Sequence, residues 1–490
     1  MTLRSQARQL WRRLLDWAQH HGHRLPAPLR KWLAGRFLAG EAMTVEDWSQ
    51  PLISAPADGT GRPTRRPAEP PPGLPPPSTG RGAARSEHPD TGSAAALRCL
   101  LVTESLDVGG MDEVVAFLAR RLPEVGIATA VLHAPLDHSQ PLGRLGQALL
   151  AEGISVFDHP RTDGAAELRR WQPDVVSVHG GPDWTLAVAH ESQIPVVETL
   201  HGMHSLFGAR AADVSARAAM LSGIVSVSEL VRQQYLEINP AFGGDRVITI
   251  PNGVDPGRVA MPDRAAARDW LGLTDEYVVT SLARHCLQKN TYGLVCAFDD
   301  IAARIPDAHL VLAGRPDDAN YSARVKRLQT TMQHGDRVHL RDHASRPEVL
   351  LAASDAFVLD SFFEGWALAS MEALVAGLPV VLADVGGARE QLAGPVAKGS
   401  LISNPLGDPL VVDWPSIRAA RYRRQSNRGE LVEGVTALST DRDRWLAARA
   451  EIRAESIERF DPGVVVSRHA HVLAAAARRA PLSLPTELAV

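Results

Sequence analysis

Two α/β domains of nucleotide-handling type, each a parallel sheet wound with helices, are predicted by three observations. From about residue 97 onward, short apolar runs of strand type alternate with helix-like segments. Several of those runs end at a glycine or a histidine, where the carboxyl edge of a parallel sheet places site residues. A proline-rich stretch separates this alternation from a short basic beginning, and 490 residues is long enough for more than one domain.

Composition narrows the function classes. With 45% hydrophobic and 22% charged residues the chain reads as an ordinary globular protein. No run of eighteen apolar residues exists, so no spanning helix is expected, and the opening MTLRSQARQLWRRLLDW lacks the apolar core of a secretory signal. Cys99, Cys286 and Cys296 are odd in number and form no CxxC, which implies neither a disulfide framework nor a zinc site and fits a reducing, cytoplasmic setting. Residues 1–40 carry eight Lys/Arg and one acid, Asp16, for a charge of +7, so the remaining 450 residues carry −11 of the net −4. Nothing in that balance suggests nucleic acid as a partner of the body.

Residues 1–48 form a basic amphipathic arm. Leu10, Trp11, Leu14, Leu15 and Trp17 are the apolar residues of a helix over 5–20 that also carries Arg8, Arg12 and Arg13, and Leu29, Trp32, Leu33 and Phe37 follow at helical spacing. This pattern suits either an anionic membrane surface, placing the protein at the inner face of the membrane, or docking on the body or another subunit. Eleven prolines between Pro51 and Pro89 make 49–96 a disordered or polyproline-like linker, so the arm is expected to be a dispensable localiser.

The first domain spans 97–256. LRCLLVT (97–103) is a strand that feeds Ser105-Leu-Asp-Val-Gly-Gly-Met and then a helix over 112–122, and a strand, glycine turn and helix N-terminus make an anion cradle at Gly109 and Gly110. GxGxxG is absent, so this is not the dinucleotide fingerprint. Strands follow at 128–133, 154–158, 174–179 (DVVSVH) and 195–200 (PVVETL), with His201-Gly202 directly after the last and His179 and His204 as rivals to His201. IVSVSE and ITIPNGVD close the domain.

The second domain spans 257–460. YVVTSL (277–282) leads into Arg284-His-Cys-Leu-Gln-Lys289-Asn290, and two cations five residues apart at a strand–helix turn can clamp a diphosphate, although surface charge explains such a pair too. Strands at 308–313, 338–340 and 356–359 continue the alternation. In Ser361 to Glu390, Glu364 and Gly365 form a short loop, a helix runs over 367–376, Gly377 stops it, and PVVLA from Pro379 is a buried strand. The helix N-terminus aims free amides at whatever lies beside Glu364. Spacing alone also allows two solvated acids here. Residues 394–434 are irregular and arginine-rich, and 461–490 read as a helix crossing back to the first domain and a tail.

EGWALASMEALVAGLPVV, residues 364–381, resembles the donor-binding signature E-G-F-G-L-x-x-x-E-A-x-A-x-G-x-P-V of retaining, family 4-type glycosyltransferases. Glu364, Gly365, Leu368, Glu372, Ala373, Gly377, Pro379 and Val380 match; Trp366 replaces a smaller aromatic residue, Ala367 a glycine and Val375 an alanine. Gly109-Gly110, PVVETLHG and the Arg284 to Asn290 segment resemble further landmarks of the same family in the same order, with Ala283 where a glycine is common. The Pro-Gly-Asp turn usual in 394–434 is missing.

The resemblance implies a GT-B fold, two Rossmann-like domains facing across a cleft, and transfer of a sugar from a nucleoside-diphosphate sugar to a hydroxyl acceptor with retention of configuration. Lipid-linked acceptors are common for this fold, which points to polysaccharide, glycolipid or envelope synthesis. It implies that Arg284, Lys289 and Gly110 stabilise the leaving phosphate in place of a metal and that His201 lies close to the reacting sugar. It gives Glu364, with backbone amides of Gly365, Trp366, Ala367 and Leu368, the donor sugar, and Glu372 the ribose. No cofactor is expected, and Asp441-Arg-Asp443 opens a late helix, so it does not read as a metal site. A nucleotide-sugar epimerase, a glycogen-synthase-like polymerase and a non-catalytic scaffold are the alternatives.

Overall fold

The computed structural model describes residues 45–53, 69–73, 97–136, 140–159, 163–204, 206–254 and 260–488. Residues 1–44 of the arm and most of the proline-rich segment lie outside the described residues, as does the domain boundary at 256–257.

The first sheet contains β1 (Leu97–Thr103), β2 (Ile127–His133), β3 (Val156–Asp158), β4 (Val175–His179), β5 (Val196–Leu200), β6 (Gly223–Ser226) and β7 (Val247–Thr249) in the order β3-β2-β1-β4-β5-β6-β7. The second contains β8 (Tyr277–Leu282), β9 (Ala308–Ala313), β10 (Val338–Arg341), β11 (Ala356–Leu359), β12 (Val380–Ala383) and β13 (Gly399–Ile402) in the order β10-β9-β8-β11-β12-β13. Every pairing is parallel. Strands buried on both faces need apolar residues in both directions, so β11 and β12 read AFVL and VVLA without alternation. In both sheets the order reverses at the first strand, which opens a crevice beyond the carboxyl ends of the strands.

The final helix, Pro462–Ala477, packs Val465, Val466, Val472 and Leu473 into the same apolar cluster as Cys99, Leu101 and Val175 of the first sheet. The domains are tied directly as well. Glu390 accepts from the Glu229 amide at 2.7 Å, and the Gln234 side-chain amide donates to the Pro409 carbonyl at 2.8 Å. All three cysteines are free thiols. Among the described residues no helix is long and apolar enough to cross a membrane.

Two expectations change. Residues 394–434 are more regular than their composition suggests: they hold β13, a helix at Trp414–Ala420 capped by Asp413, and the start of a helix at Arg428–Thr440. The end of the arm and the proline-rich linker are also docked at their described residues. Glu46 pairs in parallel with Arg341 on the edge strand β10, donating to Leu340 at 3.1 Å and accepting from Asp342 at 2.9 Å. Trp48 and Leu52 are buried, with Trp48 against Trp270 at 5.5 Å between ring centroids. The buried Arg341 guanidinium donates to the carbonyls of Asp47 and Pro51 and pairs with Glu46 at 3.1 Å. Farther along, Arg346 donates to the Pro70 and Pro71 carbonyls. Proline leaves its carbonyl free to accept, so a proline-rich strap serves arginines well.

The strap covers a sheet edge and satisfies a buried cation, and losing either is destabilising. Removing residues 1–95 is therefore expected to lower stability, and Trp48→Ala alone should lose about 3 kcal/mol as a large aromatic truncation. Chemical denaturation measures both, and an unchanged midpoint in both variants would contradict the docking.

Candidate active site

The site forms where the carboxyl edges of the two sheets meet. β5 ends at Leu200 and the chain turns through His201-Gly202, which lies against the Gly365 backbone. A Cβ on Gly365 would collide with the His201 carbonyl, so this approach requires glycine. Nearby, Gly110 lies against Leu368, so the first turn of the helix Gly110–Arg121 faces that of Leu368–Val375. Neither helix has a side-chain cap, so each presents unpaired amide donors toward the interface. The second helix stops at Gly377, whose φ of 78° suits glycine.

Lys289 and Glu364 meet here. The lysine Nζ lies 2.6 Å from Glu364 Oε1, and both side chains are largely buried. Arg284 pairs with Asp317 and reaches Gln288 Oε1 at 3.5 Å. Gln288 in turn donates its side-chain amide to the Phe363 carbonyl at 3.2 Å and accepts the Phe362 amide at 2.9 Å. The cationic turn and the Glu364 loop are thus one knitted unit. Asn290 follows at φ 49°, a left-handed conformation that asparagine tolerates, which accounts for asparagine where glycine is also used. Its side-chain amide donates to Asp360 at 2.9 Å, and Asn427 donates to the other carboxylate oxygen at 2.7 Å. Burial pushes the Asp360 carboxyl up to about 7 against those two donors.

The histidines form a buried relay. Ser177 Oγ lies 3.1 Å from His179 Nε2, and His179 Nδ1 lies 2.8 Å from His201 Nε2. Burial first, and then the neighbouring His469 and His204, push the His201 ring down to about 3, so it is neutral near pH 7. His179, first read as a rival of His201, is its partner. His204 is held below the usual histidine range by burial and by the positive Arg284.

The remaining expected residues take separate places. The Trp366 side chain is core, edge-on to Phe460 at 6.0 Å with its indole N–H toward Met371 Sδ at 3.3 Å. Ala367 caps the helix through its backbone, and its carbonyl accepts from Ser370 and Gln391. Glu372 is half-buried and borders a cavity of about 100 Å³ shared with Glu113, Phe117 and Arg120 of the first domain, away from the Lys289–Glu364 pair. Asp441 lies at the start of the helix Arg442–Arg459, as read from the sequence. Sequence reasoning missed Asp317 and Arg315. Arg315 lies 3.5 Å from Asp317 and 3.9 Å from Asp107 of the glycine loop across the interface. The only signal was GRPDD just beyond β9.

Two family models match the chain: Glycosyltransferase Family 4 over residues 108–258 and Glycosyl transferases group 1 over 263–408. The chain is 27% identical over 262 residues to a glycogen synthase of Mycobacterium tuberculosis, a match that covers 50% of this chain and 59% of that protein's length. It is 28% identical over 398 residues to a D-inositol 3-phosphate glycosyltransferase of Xylanimonas cellulosilytica, covering 72% and 93%. The Anabaena HepE structure in complex with UDP-glucose superposes with a TM-score of 0.61 at 18% identity, covering 77% of this chain and all of that one. Sucrose-phosphate synthase from Thermosynechococcus elongatus superposes at 0.57 with 17% identity, over 76% and 97%. These likenesses bear out the GT-B arrangement of two facing Rossmann-like domains.

His469 tests the electrostatics of the buried histidines. Its ring is pushed down to about 4 by burial, below the ordinary histidine value of about 6.5 that the unfolded chain retains. The unfolded state therefore binds the proton first, so the ring's contribution is present above about pH 6.5 and is lost as pH falls below it. By pH 5 the loss approaches about 2 kcal/mol. His469→Gln is expected to make the fall in denaturation midpoint between pH 7 and 5 shallower than in the unaltered protein; equal slopes would show that the ring titrates normally.

Proposed function

This chain belongs to the group 1, family 4-type glycosyltransferases, and we propose that it moves a sugar from a nucleoside-diphosphate donor to a hydroxyl acceptor with retention of anomeric configuration. The convergence of Lys289, Glu364 and two uncapped helix N-termini at the His201–Gly365 contact carries this reading. Breaking the sugar–phosphate bond leaves negative charge on the departing phosphate and positive charge on the sugar carbon. Arg284, Lys289 and the amides at Gly109 and Gly110 stabilise the first, which is the largest electrostatic contribution such a site can make. The acceptor oxygen bonds to the sugar carbon on the face the phosphate leaves, and its proton passes to the phosphate oxygen.

Glu364 has two roles in this scheme. Without donor it neutralises Lys289; with donor the diphosphate takes the lysine and Glu364 turns to the sugar hydroxyls. Glu372 holds the ribose, and neutral His201, fixed by His179, contacts the sugar. Lipid-linked or polysaccharide acceptors, and contact of residues 1–40 with an anionic membrane surface, belong to the same proposal. So does activity without a divalent metal.

Lys289→Ala and Arg284→Ala should each lower turnover at least about tenfold, equivalent to about 1.4 kcal/mol of transition-state stabilisation. Steady-state rates with the nucleotide sugar selected by a thermal-shift screen of UDP-, GDP- and ADP-sugars decide this, and near-normal turnover in either variant removes the clamp. In excess EDTA the rate should be unchanged. Activity abolished by chelation and restored by Mg²⁺ or Mn²⁺ would overturn the metal-free scheme.

A further inference from the structure

Residues 408–420 lie in the stretch that lacks the usual Pro-Gly-Asp turn, and they reach across to the first domain twice. The Pro409 carbonyl accepts from Gln234 at 2.8 Å, and the Trp414 indole N–H donates to the His204 carbonyl at 3.1 Å. This stretch is firmly seated on the second domain. Asp413 and Ser416 cap the short helix Trp414–Ala420 reciprocally, and the buried Val412 and Ile417 pack with Phe362 and Phe363 in one apolar cluster.

Trp414 also joins an aromatic cluster that spans the two domains. Phe207 of the first domain meets the ring of Phe363 edge-on at 5.1 Å and that of Trp414 edge-on at 6.4 Å, and Phe363 meets Trp414 edge-on at 5.3 Å. Edge-on pairs are directional, so they fix orientation as well as distance. Phe363 directly precedes Glu364. On the other side, the Leu206 and Phe207 amides donate to the Met203 carbonyl at 2.9 and 3.0 Å, which closes the turn that begins at His201. The Gly202–Gly365 backbone contact holds the start of this turn. Trp414 and Phe363 hold its far end.

We propose that Trp414 is a positioning residue for sugar transfer: it pins the 201–207 turn from the opposite domain and so holds the His201 ring in place against the Glu364 loop. This role rests on the transferase reading above, and Trp414 itself touches neither donor nor acceptor in it. Small displacements of a group at the reacting centre are costly to a rate. The Trp414–His204 bond lies where water reaches it, so water replaces it when it is lost and folding stability changes little. Rate and stability should therefore respond differently to its removal.

The test compares the full chain with Trp414→Phe, which keeps a ring but loses the N–H, and with Phe207→Leu, which loosens the same turn from the first domain. Each variant should lower kcat at least about fivefold, with donor KM within about twofold of the unaltered value and the denaturation midpoint unmoved. Hydrogen exchange at the Leu206 and Phe207 amides should quicken at least about fivefold in Trp414→Phe. Normal kcat in either variant, unchanged exchange at both amides, or a kcat loss in both variants that only tracks a lower folded fraction would overturn the proposal. Exchange needs no turnover, so it keeps the two readings apart. Quicker exchange in a protein whose unaltered form transfers no sugar counts against the transferase scheme, and normal exchange in Trp414→Phe beside normal transfer counts against Trp414 alone.

Discussion

The structure turns on one main-chain contact between the two sheets. The His201–Gly202 turn and the Gly365 backbone approach so closely that no side chain fits at Gly365. Because Glu364 precedes that glycine and the helix Leu368–Val375 follows it within three residues, the contact fixes both the carboxylate and the amide donors relative to the first domain. The opposite side is fixed equally, since His201 is the first residue beyond β5 and its ring is tied to His179 on β4. A site assembled by backbone packing needs little side-chain ordering when ligand arrives, and preorganisation of this kind underlies electrostatic catalysis.

Around this contact, charge is balanced pair by pair. Lys289 has Glu364, and Arg284 and Arg315 share Asp317. Burying a lysine without an anion is expensive, so a donor-free site of this kind needs carboxylate substitutes. The same acids then set a threshold: a ligand must offer more negative charge than a carboxylate to take the lysine, and a diphosphate does. Asp360 braces the arrangement from below, joining Asn290 to Asn427 and hence the cationic turn to the start of the helix Arg428–Thr440.

Much of the fold was legible because it is local. β1, β8, β9 and β11 begin and end where their apolar runs do, and Gly377 stops its helix as read. Lys289 and Glu364, read separately for the leaving phosphate and the donor sugar, pair directly at 2.6 Å although 75 residues separate them in the chain. What escaped notice depends on distant partners. Trp48 lies just before the proline-rich stretch and acquires its meaning only from Trp270. β13 is four residues with a single pairing neighbour, too short for a pattern. Trp366 reads only as a larger aromatic with a backbone role, and nothing near it in sequence says that its ring enters the core between Gly387 and Phe460. Asp317 was invisible because nothing near it in sequence says that it would pair with Arg284.

The central claim is that the Lys289–Glu364 pair stands in for the donor diphosphate. A crystal structure with the nucleoside diphosphate that gives the largest thermal shift tests it most directly. The lysine Nζ should leave Glu364 for a phosphate oxygen, with Arg284 also turned to the diphosphate and the Gly109–Gly110 amides facing it. A nucleotide bound elsewhere, with Lys289 still 2.6 Å from Glu364, would contradict the account.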